Sequence, residues 1–144
     1  MANRASGAAF WRGTGAASAI EFAILAPVFL LMLFGFIAYA IYFSAAHSIQ
    51  QLAADAARVS IAGLDEPERN LLVSRFIERN AADYILVDPA LLDVDIGDKA
   101  GDPDQYQVAI RYDASGLPIW NLYLPLPLPS RTISFVSSIR KGGM

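Results

Sequence analysis

No charged residue falls between Phe22 and Phe43, and a lone carboxylate, Glu21, stands at the threshold of that run. As a helix rising 1.5 Å per residue the run is about 33 Å long, enough to cross a hydrocarbon core of about 30 Å. Such a segment predicts a chain tethered to a membrane. Its ionisable group sits at the edge of the span, where charge is costly to bury and usually marks function. A removable signal peptide is the weaker reading, because the run exceeds the usual apolar core of about 7–15 residues, although Ser44-Ala45-Ala46 offers small residues after it.

Charge gives a direction. Arg4 and Arg12 precede the span with no acid before Glu21, so the positive-inside tendency keeps residues 1–16 in the cytoplasm and places the bulk of the chain outside. All the acids except Glu21 lie from Asp55 onward, where they outnumber the bases, and the net charge is −3. A surface of that sign gives no footing for nucleic acid. With no cysteine, neither a disulfide framework nor a thiolate metal site is possible.

Beyond the span, Ile49, Leu52, Ala53 and Ala56 keep helical spacing while Gln50, Gln51, Asp55 and Arg58 take other faces. The pattern predicts one long helix over about 17–62, with Pro27 as a kink inside it and Gly63 as its stop. Asp65-Glu66-Pro67-Glu68 predicts a second helix start, with Asp65 accepting from the Glu68 N–H. Leu72, Val73, Phe76 and Ile77 form its apolar stripe, and Asp88-Pro89 marks the break after it. The period then changes to two. Leu92, Val94 and Ile96 make one strand, 97–104 a turn, and Tyr106, Val108, Ile110 and Tyr112 the return strand. Ile133, Phe135 and Ile139 make a third, its apolar face interrupted by Ser137. An antiparallel three-stranded sheet with helices on one face is an α+β fold. The expected organisation is a leader over 1–16, a transmembrane and extended helix over 17–62, and an α+β domain over 63–144.

The connection 115–130 is too apolar for an ordinary loop. Its Leu-Pro alternation over 124–129 cannot form a helix or a ladder and should be extended, near polyproline II. Leu117, Trp120, Tyr123 and Leu126 either cover the domain's own sheet or offer a partner surface.

The segment Gly13-Thr14-Gly15-Ala16-Ala17-Ser18-Ala19-Ile20-Glu21-Phe22 keeps the backbone uncluttered ahead of the span. With Ala23, with Pro27 six residues after the glutamate, and with a Pro-rich apolar linker before a last strand ending in Arg140, it resembles the TadE-like minor pilins (pseudopilins) of the tight-adherence, Flp-type pilus system. Only the N-terminal motif of that resemblance is specific. The resemblance implies an inner-membrane protein whose leader is cut by a prepilin peptidase so that Glu21 becomes the fifth mature residue. That spacing places the cut between Ala16 and Ala17. The family's usual glycine before the cut is absent there, and cleavage after Gly15 would make Glu21 the sixth residue. The implied partners are other pilins or pseudopilins, the peptidase, the assembly platform proteins and motor, and the lipid bilayer, with no nucleic acid and no small-molecule substrate. Glu21 would then lie one helical turn from a new α-amine, and its carboxylate can partner that amine or the amine of a neighbouring subunit.

Other constellations carry less. Asp93, Asp95, Asp98, Asp102 and Asp104 suggest calcium, but Asp98 stands where an EF-hand loop needs glycine, and Val94 and Ile96 read as a buried strand face. His47 has no second histidine or cysteine to share a metal. Tyr39 and Tyr42 are interfacial anchors at the outer end of the span. The residues suggest no enzyme and no cofactor. The alternative to a pilin is an unprocessed single-pass protein with a periplasmic protein-binding domain.

Overall fold

A computed structural model describes residues 7–122 and 127–141, the side chains of 7–14 and 16 excepted. Its longest element, α1 (Gly7–Val59), runs unbroken through Pro27. Helix therefore begins well before Ala17, so the peptide around the expected cut is helical where an extended, uncluttered segment was expected. No proline interrupts residues 7–26, and once a helix is nucleated each added residue brings one more hydrogen bond. Pro27 removes the donor that would serve the Ala23 carbonyl, yet the helix continues past it.

The two halves of α1 face different surroundings. From Ile20 to Phe36 the large apolar side chains except half-buried Leu31 are exposed, and Ala17–Ala62 is long and apolar enough to cross a membrane. From Ala45 onward one stripe is buried: Ala45, Ile49, Leu52, Ala53, Ala56 and Ala57. The helical spacing predicted that stripe. Its alanines let the sheet approach closely, while Ile49 and Leu52 each contribute about 1.5–3 kcal/mol by leaving water.

A 3-10 turn, Ser60–Ala62, ends the helix at Gly63. Gly63 has φ −82° and ψ 137°, so it is not the left-handed cap that glycine often supplies. Its role is steric. A Cβ there would meet Arg69 Cγ at 2.7 Å and Arg69 N at 2.8 Å. Gly63→Ala is expected to cost about 1–3 kcal/mol through overpacking, since the backbone of α2 cannot give way cheaply. A fall in the denaturant midpoint at unchanged slope would register it.

In α2 (Glu66–Asn80), Asp65 accepts from the Glu68 N–H at 2.8 Å, as predicted. Glu68 in turn accepts from the Leu64 N–H at 2.8 Å, one residue before the cap, a variant of the reciprocal capping box. Val73 and Ile77 are buried, and Leu72 and Phe76 partly so. The helix ends at Asn80, well before Asp88-Pro89, and a 3-10 turn, Ala81–Asp83, follows.

The sheet comprises β1 (Leu92–Lys99), β2 (Asp102–Asp113) and β3 (Thr132–Arg140), antiparallel in the order β1-β2-β3. The hairpin is tighter than 97–104. Its strands run on to Lys99 and back from Asp102, and Gly101 takes φ 85° in the turn. Pairing of Gly97↔Gln107 and Asp98↔Tyr106 extends β1 beyond Ile96, where its apolar alternation ends. Tyr106, Val108, Ile110 and Tyr112 are buried on the central strand, opposite Ile133, Phe135, Ser137 and Ile139 on β3. The fold is α+β, with α1 and α2 covering one face of the sheet.

Between β2 and β3, 3-10 turns at Ala114–Gly116 and Pro118–Leu122 tuck Leu117 and Ile119 into the core. Leu117 is 4% exposed. It therefore covers the domain's own interior and offers no partner surface. Trp120 is half-buried; its Nε1–H donates to the Ala114 carbonyl at 2.6 Å, and the Arg131 guanidinium lies 5.1 Å from its ring centroid. Tyr123 and Leu126 lie outside the described residues.

Candidate functional site

Glu21 sits on α1 between Ala17 and Leu25, and every neighbour along that turn is small or apolar. It is exposed, as are Ile20, Ile24 and Leu25, and Phe22 is 73% exposed. In the continuous helix Ala17 and Glu21 lie one turn apart on the same face, roughly 5–6 Å between Cβ atoms. A carboxylate in an otherwise apolar cylinder costs about 2.5–3.5 kcal/mol at the centre of a membrane helix and less towards its edge, and a cation of matching height can offset that cost. Gly15 has open space around it, with nothing within 4 Å of where a Cβ would be. The backbone of Gly15, Ala16 and Ala17 is helical. The structure thus brings Glu21, Phe22 and the small residues before them onto one exposed helical segment, with Pro27 further along it.

The C-terminal unit holds a different set of polar contacts. On α1, Asp55 pairs with Arg58 and accepts from the Tyr84 hydroxyl at 2.8 Å. These groups border a cavity of about 650 Å³ between α1, the end of α2 and the Tyr84 segment. Burial, then the bond to Asp55 and its negative charge, pushes Tyr84 up from its ordinary value near 10 to about 12. Tyr106 donates to Asn70 at 2.8 Å and is likewise pushed up to about 12, mainly by burial. A tyrosine whose folded-state pKa exceeds its unfolded value stabilises fully below pH 10, and the contribution is lost as the pH rises towards 12. Stability of the folded unit is therefore expected to fall across that window. Tyr84→Phe should flatten the slope measured by chemical denaturation, leaving the part due to Tyr106.

Three of the hairpin acids are engaged with protein partners. Asp93 pairs with Arg111 at 3.4 Å, Asp98 with Lys141, and Asp102 accepts from Gln105 at 2.8 Å. Among the described residues no cluster of three or more histidine, aspartate or glutamate side chains could hold a metal ion. Exposed His47 borders a groove between α1 and the start of β3.

Two contacts carry no signal in the sequence. Tyr39, read as an anchor, donates from its hydroxyl to the Pro127 carbonyl at 2.6 Å. Leu86 adopts φ 62°, a left-handed conformation costly for a branched side chain, and the Tyr112 hydroxyl donates to its carbonyl at 3.0 Å. The local Val87 N–H to Tyr84 carbonyl bond closes the turn at 3.2 Å, and the Tyr112 hydroxyl, brought in from a distant strand, adds a contact that nothing local announces.

No curated protein and no solved structure matches the chain. The family model for TadE-like proteins matches residues 16–58. The match begins at Ala16, beside the expected cut, and ends one residue before the end of α1, so it covers the exposed apolar helix and its buried continuation but neither α2 nor the sheet. Over residues 16–58, Glu21, Phe22 and Pro27 among them, the chain is thus similar to TadE-like proteins.

Proposed function

We propose that this chain is a minor pilin or pseudopilin of a tight-adherence, Flp-type pilus machine, acting by contact and not by catalysis. In this reading α1 anchors it in the inner membrane, the leader faces the cytoplasm and the α+β unit is periplasmic. A prepilin peptidase removes the leader, and the mature chain packs against other pilins to prime or tip assembly on the platform proteins.

The observation that carries the reading is an exposed carboxylate on the exposed apolar half of α1, inside the region similar to TadE-like proteins. Cleavage between Ala16 and Ala17 would do two things at once. It would free an α-amine one turn from Glu21, and it would strip the N–H groups of residues 17–20 of their helical acceptors at 13–16. Both changes put positive charge beside the carboxylate. Because that peptide is helical here, the peptidase must first unwind a turn, which the two glycines Gly13 and Gly15 make easier.

The test is the mass of the mature N-terminus in cells with and without the peptidase. A chain starting at Ala17, or at Ala16 if the cut follows Gly15, is the expected result when the peptidase is present. A chain that retains Met1 through Gly15 in an active system would instead be an unprocessed single-pass protein with a binding domain.

A further inference from the structure

Tyr39 belongs to the charge-free run Phe22–Phe43, whose midpoint lies between Met32 and Leu33. On an upright helix it stands about 10 Å from that midpoint, towards the C-terminal unit. The hydrocarbon boundary is about 15 Å from the midpoint. The Pro127 carbonyl bonded to Tyr39 is thus held near that boundary, about 5 Å to its acyl side. Sliding the helix outward by one turn, about 5.4 Å, would bring this contact to the boundary itself.

Three further observations agree. Thr132 and Ile133, just after this segment, border the same groove as Tyr42 and Phe43, so the start of β3 also lies beside the last turn of the span. Pro127 and Pro129 have no N–H, and the carbonyls of Pro127 and Arg131 accept from Tyr39 and from the Ala114 N–H, so fewer backbone groups need desolvating than in an ordinary five-residue segment. Arg131 is exposed and lies over Trp120, a cation and an aromatic ring of the kinds that favour lipid headgroups.

We propose that residues 127–131 lie on the bilayer surface facing the C-terminal unit, a second lipid contact that holds this unit down against the membrane. Its occupant is the boundary between headgroups and acyl chains. The contact would fix the height and tilt of the folded unit relative to α1, and so the face that a neighbouring subunit meets. The inference needs α1 to cross the bilayer but does not need the leader to be cleaved.

The absence of cysteine makes the test direct, because one introduced cysteine is the only labelling site. The full chain in phosphatidylcholine nanodiscs would carry an environment-sensitive fluorophore at one position per variant: Leu128→Cys, Arg131→Cys, Phe29→Cys within the span, or Leu64→Cys, which is 90% exposed at the far end of α1. Lipids bearing a nitroxide near the headgroup should quench emission at 128 and 131, and nitroxide deeper in the acyl chain should quench at 29. Emission at 64 should not fall. Quenching at either 128 or 131 supports the inference, the second site covering any local disturbance at half-buried Leu128. Quenching at 29 with none at 128 or 131 overturns it alone. Loss of quenching at 29 overturns it together with the membrane reading of α1, whereas an uncleaved leader would sink only the pilin assignment.

Discussion

Glu21→Ala is expected to leave α1 in the membrane and to abolish, or reduce at least about tenfold, incorporation of the chain into pilus assemblies. Removing the carboxylate makes insertion easier, by up to the about 2.5–3.5 kcal/mol that a buried charge costs on insertion scales. The loss is in register. A carboxylate on an otherwise featureless apolar helix is what distinguishes one axial docking position from the next, because shifted positions leave it unpaired in lipid. A pairing energy of about 1.4 kcal/mol already corresponds to a tenfold bias between registers. Glu21→Gln should fail in the same way, since it keeps the shape and removes the charge, and Glu21→Asp should retain part of the activity. Membrane fractionation with co-purification of other pilus components provides the readout. Wild-type assembly by Glu21→Ala would remove the central support of the proposed function.

The second large effect is on stability. Leu52 is fully buried where α1 meets the sheet and α2. Leu52→Ala is expected to cost about 2–5 kcal/mol, combining the lost transfer energy with the cavity left behind. That is a large share of the about 5–15 kcal/mol available to an ordinary domain. The variant should show sharply increased cleavage of residues 63–144 by a short protease pulse, with the chain held in detergent. Because Leu52 belongs to the second half of α1, the cost should appear without changing membrane retention, which the exposed first half provides. Resistance equal to that of the parent chain would mean that α1 does not support the sheet as its burial indicates.

Where the sequence predicted well, the signal was local. The buried stripe of α1, the Asp65 cap and the alternation of β2 and β3 each rest on residues within one or two turns, or within one strand. The misplaced boundaries have physical reasons as well. Helix continues back to Gly7 because no proline in residues 7–16 stops it, and the hairpin tightens because backbone pairing continues after the apolar pattern ends. Gly63 was placed correctly as a stop, but it serves close approach by Arg69 and not a left-handed turn.

The apolar linker shows what a one-dimensional reading cannot resolve. Its composition says that Leu117 and Trp120 seek an apolar surface, but cover and docking face have the same composition, and only packing assigns Leu117 and Ile119 to the core. For the candidate site the balance is reversed. Glu21, Phe22 and Pro27 are picked out by their order along one charge-free helix, a one-dimensional pattern that needs no tertiary contact to be seen.

The amino-acid order alone thus determined a helix able to cross a bilayer, a carboxylate at its edge and three strands of fixed parity. Those follow from periodicity and charge, which act over a few residues. Tertiary structure decided that α1 is also the spine of the α+β core, that Tyr112 bonds to the strained turn at Leu86, and that Tyr39 grips a proline 88 positions away. Such contacts depend on how whole elements pack, a property of the folded chain that no short window of sequence contains.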